Sequence, residues 1–335
     1  MKKKTRILII GLSALVLIGA AGVYASGLGS QLLQSIQESE ENSITVAETE
    51  ESRLFEAENT ERKAQIDGSM SVQQTVGGVV SKFDQLLLAM DATIEDPKVY
   101  NEMLVNYMYL KDVRHMTDEQ MDYLADLVIQ GCSMLDIIDI TYFWLDTNED
   151  ISIIPQIYAL KPNYRNEYTW IENAFNAVTN DKCGVLDTEA VKQYRTQGMG
   201  ADEIMYANKL CRKGVLTIQQ ILDKRLQGET WQTISAQING ESQIAAFSAA
   251  EDAMASEAAK ALDTAEVVQS CEELAEITGE SAAVYYSQAA EGADIAVMYE
   301  EEDAQRTNAV VANLRAQNLL REVPDETADE NGEVE

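Results

Sequence analysis

Two four-residue signals constrain this chain more than any other feature. Thr117-Asp-Glu-Gln120 and Thr217-Ile-Gln-Gln220 are both capping boxes, in which a threonine hydroxyl and a glutamine side chain satisfy the first free amides of a helix. Each is bracketed by a hydrophobic staple, Met116 with Met121 and Leu216 with Ile221, and each is followed by a glycine, Gly131 and Gly228, where a helix would stop. Asp96-Pro97 adds an N-cap followed by proline at the first helical position. Phe83, Leu86, Leu87 and Met90 follow the i, i+3, i+4, i+7 pattern of one helical face. The expected fold class is all-α.

The stretches around these signals also look related. A shift of 83 places Met116 on Met199, Tyr123 on Tyr206, Leu127 on Leu210, Gly131 on Gly214, Ile138 on Ile221 and Ile151 on Ile234, without a gap. A helix–turn–helix unit used twice is the economical reading. Residues 71–240 are therefore expected to form an aromatic-rich helical domain with an internal duplication. Residues 241–322 are rich in alanine, with no proline between Pro162 and Pro324. Their narrow apolar seam suits a long helical hairpin or coiled coil, with Gly279 or Gly292 breaking the run into two or three long helices.

The ends carry different information. Met1-Lys-Lys-Lys-Thr-Arg6 precedes an apolar run from Ile7 to Tyr24, and Val23-Tyr24-Ala25 offers short residues at a cleavage site. Residues 1–25 read as a signal peptide or a membrane anchor, and both place the remainder outside the cytoplasm. The first cysteine is Cys132, so no lipobox is present near that site. From Glu38 to Glu61 there are nine glutamates against one arginine, which suggests that residues 26–70 form an acidic linker, flexible or weakly helical. Residues 323–335 read as an acidic disordered tail.

Charge excludes one class of partner. With 57 acidic and 25 basic residues the formal net charge is −32, which repels nucleic-acid backbones. Membrane contact is expected through the N-terminal segment alone. Cys132, Cys183, Cys211 and Cys271 allow two disulfides in three connectivities, or four buried thiols.

Motifs for chemistry are sparse. The single histidine, His115, precedes a helix start and reads as part of that cap. Asp146-Thr-Asn-Glu-Asp150 has the spacing of the first calcium-loop ligands, but Ile151 and Ile157 occupy the positions of the turn glycine and the closing glutamate. Asn180-Asp-Lys-Cys-Gly184 is a poorer echo, and both read as polar connections between helices. Thr217 to Ile238 superficially resembles a DNA-binding helix-turn-helix, and its Trp231 is better read as a core anchor. No catalytic, metal-binding or cofactor-binding residue is assigned, and no cofactor is expected. Tyr100, Tyr107, Tyr109, Tyr142, Phe143, Trp144, Tyr158, Tyr164, Tyr168 and Trp170 read as core or as a recognition surface.

Ser281-Ala-Ala-Val-Tyr-Tyr-Ser-Gln-Ala-Ala-Glu-Gly-Ala-Asp-Ile-Ala and Ala309-Val-Val-Ala-Asn-Leu-Arg-Ala-Gln317 resemble the C-terminal helix of TrbJ-type conjugal-transfer minor pilins. That resemblance implies an exported, helical, non-enzymatic part of a type IV secretion system, and carries no site residue across. The expectation is an exported, non-catalytic interaction or scaffold protein of the cell envelope. Its partners would be other envelope or extracellular proteins, or copies of itself. The alternative is an extracellular ligand-binding module using residues 100–170.

Overall fold

The structure, a computed structural model, describes residues 49–76, 80–164, 169–184, 186–240 and 262–323. The proposed leader at 1–25, the linker up to residue 48, residues 241–261 of the alanine-rich stretch, Tyr168 and residues 324–335 lie outside that set. The described residues form 15 helices and no strand, so the fold is all-α.

The helices are α1 (Glu50–Val76), α2 (Lys82–Thr93), α3 (Pro97–Asp112), α4 (Asp118–Ile129), α5 (Met134–Leu145), α6 (Ile153–Ala159), α7 (Lys161–Tyr164) and α8 (Trp170–Val178). They continue as α9 (Thr188–Thr196), α10 (Ala201–Cys211), α11 (Ile218–Leu226), α12 (Trp231–Asn239), α13 (Ala265–Thr278), α14 (Ala282–Ala290) and α15 (Ile295–Ala316). Local chemistry sets many of their ends. Thr117 and Thr217 each accept the amide three residues on, and Gln120 and Gln220 return the bond at 2.9 Å. Asp96 caps α3 beside Pro97. Gly131 and Gly228 take positive φ, at 100° and 92°, just past α4 and α11.

Contacts divide the chain differently from the expected linear order. Of the described residues, one compact unit takes those up to 60 with those between 139 and 303, and the other takes those between 61 and 138 with 304–323. The boundary falls within α1, α5 and α15. In the second unit α2 packs on α4. Tyr107 is buried there, donates to the Met121 carbonyl at 2.8 Å and stacks on Phe83. In the first unit α10 lies against α11 and α13, and α13 against α14. Tyr206 and Trp231, both fully buried, meet edge to face at 5.1 Å in its core.

One expectation changes. The acidic linker does not extend to residue 70, because Glu50–Val76 is a 27-residue helix. Glu50, Glu51, Glu56 and Glu61 are exposed, while Phe55 packs on Tyr158 at 5.0 Å and Asn59 accepts the Tyr158 hydroxyl at 2.7 Å. Those docked side chains supply the ordering that the local composition lacks. The alanine-rich stretch, where described, forms helices of 14, 9 and 22 residues. It is interrupted at both Gly279 and Gly292, whose φ values are 77° and 98°.

The two stretches matched by the shift of 83 agree over their first helix. The caps of α4 and α10 fall at Thr117 and Gly200, 83 apart, and Gly131 and Gly214 both take positive φ at the following turn. Beyond that they diverge. Helix α5 has 12 residues, whereas α11 has 9 and is followed within five residues by α12.

Candidate functional site

Three helices of the first unit bring their polar faces to one point. On α10, Tyr206 and Lys209 stand at i and i+3. On α12, Ser235 and Asn239 stand at i and i+4. On α13, Glu272 and Glu276 do the same. The Tyr206 hydroxyl donates to Glu272 Oε2 at 2.9 Å, and the Ser235 hydroxyl donates to Glu272 Oε1. Asn239 Nδ2 donates to Ser235 Oγ at 3.0 Å and to Glu272 Oε1 at 3.3 Å. Burial pushes the Glu272 carboxyl above its ordinary value, against the opposing pull of Ser235, Tyr206 and Lys209. Lys209 bridges to Glu273 at 2.9 Å and to Asp146 at 3.8 Å.

Beside this knot lies a cleft of about 240 Å³, lined by Asp146, Lys209, Lys213, Glu272, Glu276 and Glu280 among others. Both Glu272 oxygens already accept bonds from α10 and α12. The arrangement therefore fixes how three helices pack more directly than it presents a reacting group to the cleft.

A second knot surrounds Arg225 on α11. Its guanidinium donates to Glu203 at 3.0 Å, to the Asp263 carboxylate at 2.5 Å, and to the Asp263 and Glu229 carbonyls. It also lies 5.4 Å from the Trp231 ring. Trp231 donates its indole N–H to the same Glu203 oxygen and its backbone N–H to Asp263. Burial tends to raise the Glu203 carboxyl, yet the Gly200 amide, Arg225 and Trp231 outweigh it and hold the carboxyl low.

The residues singled out in the sequence have clear places. His115 is exposed, with φ of 57°, in the turn between α3 and α4. The Asp146–Asp150 segment does not converge on a cation position. Asp146 pairs with Arg212 at 3.1 Å, and Asn148 donates to the Lys213 carbonyl. Glu149 pairs with Lys182, and Asp150 accepts the Ser152 amide. Among the described residues no group of three or more histidine, cysteine, aspartate or glutamate side chains could hold a metal ion. Trp231, in the segment resembling a helix-turn-helix, is fully buried.

Of the aromatic set, Tyr100, Tyr107, Tyr109 and Tyr158 are buried. Tyr142, Phe143, Trp144, Tyr164 and Trp170 are half-buried. Phe143 carries the Arg212 guanidinium at 4.2 Å and meets Phe175 edge to face. Trp144 donates to the Glu149 carbonyl, and Lys161 lies over Trp170.

The cysteines divide between the two readings. Cys183 and Cys211 form a disulfide with Cα atoms 5.0 Å apart, tying the loop after α8 to the end of α10. Cys132 and Cys271 are buried thiols, and burial pushes each up to about 12. Neither knot stands out in the sequence, because Glu272 and Glu203 are two among 57 acids. No local spacing marks them, since Tyr206, Ser235 and Glu272 lie on three separate helices.

No family model, no curated protein and no solved structure matches the chain.

Proposed function

We propose that this chain is an exported, non-catalytic contact protein of the cell envelope, working by holding other proteins. The observation that carries the reading is the Cys183–Cys211 disulfide, since such bonds form and persist in oxidising compartments outside the cytoplasm. It agrees with the cationic and apolar N-terminus, which reads independently as an export segment. The polar knots add support, because Glu272, Glu203 and Arg225 are spent on holding helices together. The resemblance of residues 281–317 to minor pilins names the first partners to look for, the components of a secretion or conjugation channel. In the structure that stretch forms α14 and α15 with a break at Gly292.

Crosslinking in intact envelopes, followed by purification through the chain and mass spectrometry, tests the proposal. Recovery of secretion-channel or pilus proteins in the envelope fraction is the expected result. A chain found in the cytoplasmic fraction, or attached to nothing but copies of itself, would overturn assembly with other proteins.

A further inference from the structure

The cleft of about 240 Å³ at the carboxyl ends of α10 and α13 holds two opposite charges that do not meet. Lys213 stands in the turn that closes α10, where its amide returns to the Leu210 carbonyl at 3.2 Å. Glu280 follows Gly279, whose φ of 77° ends α13. Both side chains line the cleft, yet among the described residues neither forms an ion pair. The Lys213 ammonium donates to the Leu145 carbonyl at 3.5 Å, which is long for such a bond. Lys209, the other cation of the lining, is taken up by Glu273 and Asp146. Leu210, Ala275 and Ala282 give the same lining an aliphatic surface. Glu272 accepts Tyr206 of α10 and so fixes the two helices that carry the charges, which leaves the cleft formed before any ligand arrives.

Those features fit one ligand class. A molecule with a carboxylate and an ammonium a few bonds apart satisfies both groups together, whereas a simple ion answers one and leaves the other. Its ammonium would lie past the end of α13, where the helix dipole favours a cation. A cavity of about 150 Å³ holds a benzene ring, so this larger one admits roughly ten non-hydrogen atoms, the size of a free amino acid. We propose that the cleft binds a free α-amino acid with an aliphatic side chain, its carboxylate on Lys213, its ammonium on Glu280 and its side chain over Ala275 and Ala282. The whole site lies within one compact unit and does not depend on the export reading.

The test is isothermal titration calorimetry of the full chain with L-alanine, L-valine, L-leucine, L-isoleucine and L-methionine, one at a time. At least one should bind with a Kd below about 1 mM. The amine lacking its carboxylate, and the carboxylic acid lacking its ammonium, should each bind at least about tenfold more weakly. The Lys213→Met and Glu280→Gln chains should lose at least about tenfold in affinity for the amino acid. Ala275→Leu, which fills the cleft, should abolish binding, and Lys111→Met, in the other compact unit, should leave it unchanged. No binding of any of the five at about 10 mM would overturn the proposal. Binding that ignores Lys213 and Glu280, or that survives loss of either ligand charge, would overturn it equally. Circular dichroism and melting check each variant. Where a variant fails to fold, the one-charge analogues titrated into the wild type decide: weaker binding supports the site, and equal binding refutes it.

Discussion

Glu272 and Glu203 are carboxyl groups a few ångströms from tyrosine or tryptophan donors, yet their surroundings shift them in opposite directions. Glu272 sits above the ordinary carboxyl value of 4.5, so its folded form holds its proton more tightly than the unfolded chain does. Its favourable contribution is present below about pH 4.5 and is lost as pH rises through the folded value. Glu203 sits below 4.5, so its contribution is present above that pH and is lost as pH falls through the folded value. Melting curves of the wild type against Glu272→Gln and Glu203→Gln, from pH 3 to pH 8, should show this directly. Relative to Glu272→Gln the wild type should weaken with rising pH; relative to Glu203→Gln it should weaken with falling pH. Parallel curves would mean that neither carboxyl differs between the folded and unfolded states. No reading of the sequence could have separated these two glutamates, since what distinguishes them is the identity of residues up to 66 positions away.

Helix beginnings follow from local chemistry and are legible for that reason. Thr117 and Thr217 bond to residues three positions on, and Gly131 and Gly228 need nothing but their own freedom at positive φ. Thr117→Ala and Thr217→Ala should each cost about 1 kcal/mol, measured by urea unfolding, with Ser restoring most of it. A loss below about 0.3 kcal/mol for both would show that the caps contribute little beyond helix packing. Helix α1 illustrates the opposite case. Its nine-glutamate surroundings look unable to order themselves, and its order comes from Phe55 and Asn59 meeting Tyr158, about a hundred positions downstream. The aromatic stretch divided in a similar way, because burial of Tyr100, Tyr107 and Tyr158 depends on partners that spacing does not reveal.

At the scale of the whole molecule, each compact unit is assembled from segments far apart in the chain, a grouping that linear composition does not reveal. The sequence suggests a separate Ala-rich hairpin or coiled coil over residues 241–322, yet α13 packs on α10 and α12 and brings Ala265 and Val268 into the core around Trp231. The disulfide falls within that same unit, joining residues 28 apart. Constraint of a loop that size stabilises a fold by about 3 kcal/mol, so a compartment that allows the bond matters to the whole unit. The proposed export and the oxidation of Cys183 and Cys211 are thereby coupled in one measurable quantity. Cells producing the full chain, and cells producing a chain without residues 2–25, would be quenched in acid, denatured and labelled with a maleimide polymer before and after reduction. The full chain should take up two labels before reduction, at Cys132 and Cys271, and four after it, while the shortened chain should take four throughout. Four labels on the unreduced full chain would contradict the account, placing this protein in a reducing compartment with Cys183 and Cys211 apart.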